Sequence, residues 1–429
     1  MANSVYSGKT GEWYYPLDNS AVFMAATTST AKPYVYRLSC ELDRPVHLPD
    51  IEQALAKVSD RFPSFKTELR PGVFWYYLEP LKKPFTVLSD SIYPCEYHRL
   101  RRMNRYLFRV RVYGTRISCE FHHALTDGTG AAEFLKSLVA EYLTIQGIVC
   151  AQWDGIRRAN TQPDPAELED AYAKFSRRNA PSPETLPRAS MLPGKRYSGP
   201  EYRTITGTVS VDAIRKLAHE KGASITELLA SFHLLAIQSV LETGSEKKFG
   251  PVCLQIPVNI RKFYASDTVR NFFLFVPVSI DRRLGHYEFR EILERVQCQL
   301  KLSLTRKELD RQIWRNVRGE SLIMPRLVPL CIKNCVLRTI ARVKADTPFS
   351  GSLSNLQRIT MPEPFAAHIR RFDLVPSRNR SVGATIAVIS WKDVLSITVG
   401  SLVQDRSFER FFFRALSDTG IPVLVTSNM

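Results

Sequence analysis

Phe121-His122-His123-Ala124-Leu125-Thr126-Asp127-Gly128 places two adjacent histidines, a carboxylate and a glycine where a strand pattern gives way to a helix pattern. Upstream, Leu107 to Tyr113 is rich in β-forming residues, Gly114-Thr115 supply a turn, and Arg116 to His122 alternates polar and apolar side chains. The pattern predicts a hairpin whose second strand delivers the histidines. Neighbouring side chains on a strand point to opposite faces, so His122 and His123 cannot do one job in one pocket, and one of them is expected to be structural. Downstream, Ala131, Phe134, Leu135, Leu138, Val139 and Tyr142 recur at helical spacing, which predicts a helix beginning soon after Gly130. The run therefore reads as a loop between rigid elements, where reactive groups are often displayed.

Three chemistries compete for this loop. Metal binding has His123 and Asp127 four residues apart, but Gly128 and Gly130 argue against helix there and no third ligand is near. The other histidines are scattered and the eight cysteines show no paired CxxC spacing, so no metal is expected. A second reading has the histidines packed and the aspartate capping the helix. A third is general-base catalysis, for which imidazole suits the removal of a proton from a hydroxyl or amine near neutral pH. No GxSxG elbow and no cysteine in a recognisable catalytic setting offers another nucleophile.

The run matches the signature HHxxxDG, and nearly the whole chain resembles the acyl-CoA-dependent acyltransferase superfamily. That group includes chloramphenicol acetyltransferase, the plant BAHD enzymes, polyketide-associated acyltransferases and the condensation domains of nonribosomal peptide synthetases. Within it, the chain looks most like bacterial stand-alone alcohol acetyltransferase-like proteins. Further segments carry the resemblance: Trp13-Tyr14-Tyr15-Pro16-Leu17-Asp18-Asn19, Arg61-Phe62-Pro63 and Gly72-Val73-Phe74-Trp75 in the first half. In the second half they are Pro257-Val258-Asn259-Ile260-Arg261, Asn271-Phe272-Phe273, Pro329-Leu330-Cys331-Ile332-Lys333-Asn334 and Ser354-Asn355-Leu356.

The resemblance implies His123 as general base and His122, Asp127, Gly128 and Arg261 as structural support of the loop, with Asp127 paired to Arg261. An arginine–carboxylate pair can be bidentate and would then fix geometry as well as contribute energy. Gly128 suits a loop that needs backbone freedom or close approach of a substrate. Ser354 and Asn355 are oxyanion or substrate candidates, although Gln357 stands where the family has a glycine and the Asp-Phe-Gly-Trp-Gly motif of the plant enzymes is absent. The implied reaction is direct attack of a hydroxyl on an acyl thioester without an acyl-enzyme. Acyl-CoA, or an acyl carrier protein, is the donor, a small alcohol or amine the acceptor, and no cofactor is held permanently. Two alternatives stay open: an amide-forming stand-alone condensation enzyme with carrier-bound substrates, and a noncatalytic binding protein on the same fold.

With 429 residues, 44% of them hydrophobic, the chain is too long for one typical core. The reading is an α/β (α+β) protein of two chloramphenicol-acetyltransferase-like lobes, each a mixed sheet with flanking helices, and a tunnel between them. Residues 1–175 form the N-terminal lobe, 176–200 a proline-rich crossover and 201–429 the C-terminal lobe. A short helix around Ala166 to Ser176 interrupts the proline-rich region. Ser224-Ile225-Thr226-Glu227 reads as a capping box opening an apolar helix on which His233 is simply packed. Strands are expected at Val252 to Ile256, Phe272 to Ile280 and Thr385 to Ile389, and helices at Tyr287 to Leu304 and Phe408 to Asp418.

The net charge of +17 suits anionic partners: coenzyme A phosphates, an acidic carrier or anionic lipid. Nucleic acid is excluded, since no recognition motif appears and the basic clusters lack interleaved aromatics. Those clusters are Arg99, Arg101, Arg102 and Arg105; Arg157-Arg158; Arg177-Arg178; Lys247-Lys248; Arg282-Arg283; and Arg370-Arg371. Ile332, Cys335, Val336, Thr339, Ile340 and Val343 form one helical stripe that core packing explains better than transient contact with an anionic membrane. The N-terminus shows no apolar signal core, no run is read as long enough to span a bilayer, and dispersed cysteines fit a reducing compartment. The expectation is a cytoplasmic monomer.

Overall fold

The computed structural model describes residues 6–7, 13–97, 105–177, 180–181, 185–244, 250–321, 328–341 and 347–429. His98, Arg99, Arg101, Arg102, Arg178, Pro183, Lys247, Lys248, Arg342 and Val343, together with most of the N-terminal stretch read for a signal core, lie outside the described residues.

The hairpin forms as its pattern predicts. Phe108–Tyr113 pairs antiparallel with Arg116–His122, and Gly114 takes the left-handed φ of 54° that the two-residue turn requires. These strands belong to a five-stranded mixed sheet in the order Ile369–Val375, Val35–Leu42, Arg116–His122, Phe108–Tyr113, Val87–Ser89. The alternation sends Phe121 into an aromatic cluster with Phe65, Phe108 and Phe134, while Glu120 and His122 face the opposite side. On that side the buried Glu120 takes hydrogen bonds from Arg37 (2.7 Å) and Arg109 (2.5 Å). The arginines overcome the burial and hold its carboxyl down at about 2.

A second mixed sheet of seven strands runs Phe273–Asp281, Pro251–Asn259, Gly351–Ile359, Ala384–Trp391, Val394–Ser401, Arg203–Ser210, Leu424–Ser427. The helices Ile225–Thr243, Phe289–Ser303 and Ser407–Ser417 share one core with this sheet. The first of them opens on the expected capping box, Ser224 Oγ accepting from Glu227 N while Glu227 Oε2 accepts from Ser224 N. This helix is long and apolar enough to cross a bilayer, contrary to the sequence reading, and 67% of its most apolar window is packed inside the protein. The short helix expected near Ala166 to Ser176 is split into a 3-10 turn, Pro165–Leu168, and a helix, Ala171–Phe175.

Two lobes result, each built on a mixed sheet, but the sheets do not follow a cut at residue 200. Ile369–Val375, from the second half, pairs antiparallel with Val35–Leu42 of the first, and Phe365, Phe372 and Trp391 enter the first core. The other departure concerns the stripe along Leu330–Ile340. Leu330 and Asn334 are buried, whereas Ile332, Cys335, Val336, Thr339 and Ile340 are exposed, so core packing does not account for the stripe. Asn334 points inward because its amide donates to Tyr76 Oη (2.9 Å), and Arg338 because its Nε donates to Ala26 O (3.1 Å). The side of the helix that faces the protein is mixed, Leu330 and Leu337 packing on the first core beside Asn334 and Arg338.

Candidate active site

The strand Arg116–His122 ends by handing its last side chain to the helix Asn19–Thr27. His122 is fully buried, its Nδ1 accepts from Ala124 N (2.9 Å), and its Nε2 lies 2.9 Å from Thr28 Oγ1. Acceptance at Nδ1 assigns the proton to Nε2, which donates to Thr28, whose hydroxyl donates on to Met24 O (2.7 Å). Both ring nitrogens are committed, so His122 closes the loop on itself and has no lone pair to offer a substrate.

His123 is placed by its backbone. Its N–H donates to Tyr34 O (2.8 Å) and its carbonyl accepts from Asn271 Nδ2 (2.9 Å). The ring stacks on Tyr36 at 4.3 Å between centroids and approaches Phe273 at 6.2 Å. Nδ1 is buried and makes no hydrogen bond of good geometry; the backbone acceptor that acts on the ring is the Thr126 carbonyl, which also accepts from Tyr36 Oη (3.1 Å). Nε2 is left as the nitrogen that can reach a ligand. Burial is the main influence on this ring and pulls its pKa down to about 4, against opposing pulls from Asp127 and the Thr126 carbonyl. The imidazole is therefore neutral at physiological pH.

Asp127 is where the lobes are tied together. Its Oδ1 caps the helix Gly128–Ile145 by accepting from Thr129 N and Gly130 N, both at 3.1 Å. Its Oδ2 accepts from Arg261 Nη1 and Phe272 N, both at 2.8 Å, across to the second lobe. The pair is not bidentate: Arg261 gives one nitrogen to Asp127 and spends Nε and Nη2 on the Thr268 and Arg270 carbonyls (3.0 and 2.6 Å). The helix begins at Gly128, earlier than the glycines suggested, because Asp127 caps it there and the close packing at Gly128 and Gly130 fixes the first turn. Both glycines have steric reasons. A Cβ on Gly130 would lie 2.1 Å from Val269 O, and one on Gly128 would lie 3.0 Å from Leu356 Cδ1. It is Leu356, not backbone freedom, that Gly128 accommodates.

That contact brings Ser354-Asn355-Leu356 to the motif loop from the other lobe. Asn355 is occupied: Nδ2 donates to Thr226 Oγ1 (3.0 Å) and Oδ1 accepts from Gln357 N (2.8 Å). Ser354 is half-buried, and no hydrogen bond of its hydroxyl is found among the described residues. Gln357 sits at φ 67°, at a bulge between Asn355 and Arg358, so the chain keeps the left-handed turn that a glycine would favour.

Four site residues carried no role in the sequence reading. Asp18 caps the helix Asn19–Thr27 through Ala21 N (2.8 Å) and accepts from Asn271 Nδ2 (3.1 Å), the amide that also holds His123 O. Burial pushes Asp18 up to about 6 despite Arg270. The sequence signal for Asp18 was its position before an apolar helical run. Tyr36 stacks on His123 from the adjacent strand. Tyr34 holds the backbone of His123 while itself at φ 53°, a conformation costing about 1 kcal/mol or more for a non-glycine residue. A cavity of about 530 Å³ borders on these groups, lined among others by Thr28, Tyr34, Tyr76, Tyr97, Arg338 and Ser381. His123 is not one of its walls, but Thr28 and Tyr34 join the cavity to the histidine pair. Among the described residues no cluster of three metal-ligating side chains occurs.

No family model and no characterised protein sequence matches the chain. Its fold, however, is shared widely among solved structures. Polyketide synthase associated protein 5 from Mycobacterium tuberculosis superposes with a TM-score of 0.59 at 12% identity, covering 92% of this chain and 96% of that one. The TRI3 trichothecene 15-O-acetyltransferase from Fusarium sporotrichioides does so with 0.59 at 11% identity, covering 97% and 96%. The condensation domain of the monacolin K polyketide synthase MokA gives 0.57 at 10% identity, covering 94% and 95%. The chain thus has the two-lobed fold on which acetyltransferases and condensation domains are built.

Proposed function

We propose that the protein is an acyltransferase that moves an acyl group from a thioester, acyl-CoA or an acyl carrier protein, to the hydroxyl of a small acceptor. The observation that carries this reading is His123. It is a neutral imidazole with Nδ1 sealed, its backbone pinned from both sides, on a fold shared with acetyltransferases. In the proposed step Nε2 takes the hydroxyl proton as the oxygen attacks the thioester carbonyl, and the tetrahedral intermediate collapses with loss of the thiol, which recovers the proton. Asp127 and Arg261 position the loop and transfer no proton. The developing oxyanion needs a donor. Ser354 is the candidate of the two with a hydroxyl to give, because Asn355 is spent on its own lobe.

The reading is tested by free-thiol release from purified protein offered acetyl- to long-chain acyl-CoA with a panel of alcohols and amines, beside His123→Ala. Acceptor-dependent release that disappears in the variant supports it. Release by both proteins alike refutes the assignment of the base. The condensation domains among the fold's relatives favour one second reading, amide formation from carrier-bound substrates. It predicts silence with every acyl-CoA and turnover with acyl carrier protein and an amine. No permanently bound cofactor is invoked, and a cytoplasmic monomer is the working form.

A further inference from the structure

The outward stripe of Leu330–Ile340 does not stand alone. The hairpin of Thr67–Pro71 and Tyr76–Pro80 turns through Gly72-Val73-Phe74-Trp75, and this turn lies against the start of the helix. Leu330 N donates to Val73 O (2.8 Å), Lys333 Nζ donates to Phe74 O (2.9 Å), and the same Nζ sits 3.3 Å from the centre of the Trp75 ring. Val73, Phe74 and Trp75 are exposed (72, 39 and 36%), as are Ile332, Val336 and Ile340 (52, 52 and 42%). Two aromatic rings at a turn and three aliphatic side chains one helical turn apart thus make a single apolar face, while polar Asn334 and Arg338 point inward. Isolated exposed apolar residues need no explanation, but a grouped face of this kind marks a binding surface.

We infer that this face docks on an anionic lipid bilayer, and that the cavity behind it receives an acyl-transfer substrate resident in that bilayer. Tryptophan and phenylalanine beside a lysine are the side chains that settle at the headgroup level, and an apolar helical face lies in the same plane. Neither the turn nor the helix contains a carboxylate, Lys333 at their junction is the charged side chain on this face because Arg338 turns inward, and the chain as a whole carries +17. An anionic surface contributes about 1 kcal/mol for each nearby lysine or arginine. A second copy of the chain would instead set Lys333 against Lys333, and one strongly basic molecule against another, across a two-fold axis. The same two elements wall the 530 Å³ cavity from inside, through Arg338 and Ala341 of the helical segment and Pro71 and Tyr76 of the hairpin. A substrate leaving the bilayer at this face meets the cavity that borders on the histidine pair. The substrate half of the inference rests on the acyl-transfer reading; the docking half does not.

Co-sedimentation of the purified chain with vesicles of phosphatidylcholine alone, or mixed with phosphatidylglycerol, tests docking. The wild type is expected in the pellet with mixed vesicles at low salt. Phe74→Ser/Trp75→Ser and, separately, Val336→Ser/Ile340→Ser are expected to lower the partition coefficient at least about tenfold. Circular dichroism confirms that each variant is folded, and release of thiol from short, soluble acyl-CoA stays unchanged. Wild type left in the supernatant, or folded variants that bind as well as wild type, overturns docking. So does a concentration-dependent dimer in the ultracentrifuge that these substitutions dissolve, since a second copy then covers the face. For the substrate half, wild type should turn over vesicle-borne long-chain substrates faster than the variants, and equal rates overturn that half. Vesicle binding without thiol release from any donor overturns the acyl-transfer reading and leaves docking standing.

Discussion

Asp127→Asn is the most informative perturbation of the site, because the change is nearly isosteric and the aspartate has two distinct sides. Oδ1 holds two amides of its own helix, and Oδ2 holds Arg261 and the Phe272 amide of the other lobe. A carboxylate accepts on both sides, but a carboxamide accepts on one. With its oxygen toward the helix, asparagine is a good cap and sets an NH2 against a guanidinium and an N–H. Turned over, it keeps the second lobe and loses a cap worth about 1 kcal/mol. Either orientation leaves Arg261, only 11% exposed at its side chain, as a buried charge whose partners are all neutral: backbone carbonyls, the Asn259 amide oxygen and at most the new carboxamide oxygen. Breaking a buried pair in this way costs about 3 to 5 kcal/mol. We expect Asp127→Asn to lower the unfolding free energy by about 3 kcal/mol or more in urea titrations followed by tryptophan fluorescence. The His123 loop should lose turnover even under conditions where the variant is folded. Arg261→Met in the same chain removes the stranded charge and should recover part of the loss, with a coupling energy above about 1 kcal/mol. A single variant within about 1 kcal/mol of wild type, or a double variant whose losses simply add, would refute the account of Asp127 as the tie between lobes.

His123→Ala should leave stability within about 1.5 kcal/mol of wild type, since the side chain makes a tilted ring contact with Tyr36 and at most a weak bond to the Thr126 carbonyl, and cut turnover by about 10²-fold or more in the thiol assay. With this ring held near 4, the wild-type kcat/KM should stay level from pH 8 down to about 5 and fall only as His123 is protonated below that. His233 is fully buried against Phe408 and Phe412 with both ring nitrogens unpartnered, and burial takes it down to about 3. Above about pH 6.5 it is neutral folded or unfolded and has no effect. Below that the unfolded chain binds a proton that the folded core refuses, so stability is lost progressively down to pH 3, by up to about 5 kcal/mol. His233→Leu should remove that slope in acid titrations of stability and leave the value at pH 8 unchanged or higher. Gly130→Ala should destabilise by at least about 3 kcal/mol in the same urea assay, since its Cβ would meet backbone that Thr126 Oγ1 already bonds at 2.5 Å.

The parts of this fold legible in the sequence were those set by local rules. The Arg116–His122 hairpin followed from alternation and a turn glycine, and Ile225–Thr243 from its capping box. The two histidines have different surroundings, as expected, but His123 lies in the turn after Arg116–His122 and not on the strand's other face, while His122 spends both nitrogens on Thr28 and Ala124. Signals that depend on distant chain were not legible. Nothing near Ile369–Val375 says that it will join the sheet of the first lobe, and nothing near Asn271 says that its amide will reach both Asp18 and His123 O. The stripe on Leu330–Ile340 misled because periodicity reports that a helix has two faces, not which face the protein covers. Leu330 and Leu337, which pack on the first core, and Asn334 and Arg338, which find Tyr76 Oη and Ala26 O, set that together here.

Gln357 shows how a departure from a motif should be weighed. A glycine absent from its usual place suggests a backbone that has changed course, yet the φ of 67° and the bulge beside it are those a glycine would adopt. The chain tolerates the strain because the residue is held at both ends. Its amide donates to Asn355 Oδ1 (2.8 Å), and its own Oε1 accepts from Lys262 Nζ (2.8 Å), one residue beyond the arginine that binds Asp127. Two hydrogen bonds, each contributing about 1 kcal/mol, offset a left-handed penalty of similar size. Gln357 therefore joins the late segment to the Arg261 turn, and Leu356 beside it lies against Gly128. A left-handed turn at this position does not by itself demand a glycine where hydrogen bonds on both sides hold another residue in it.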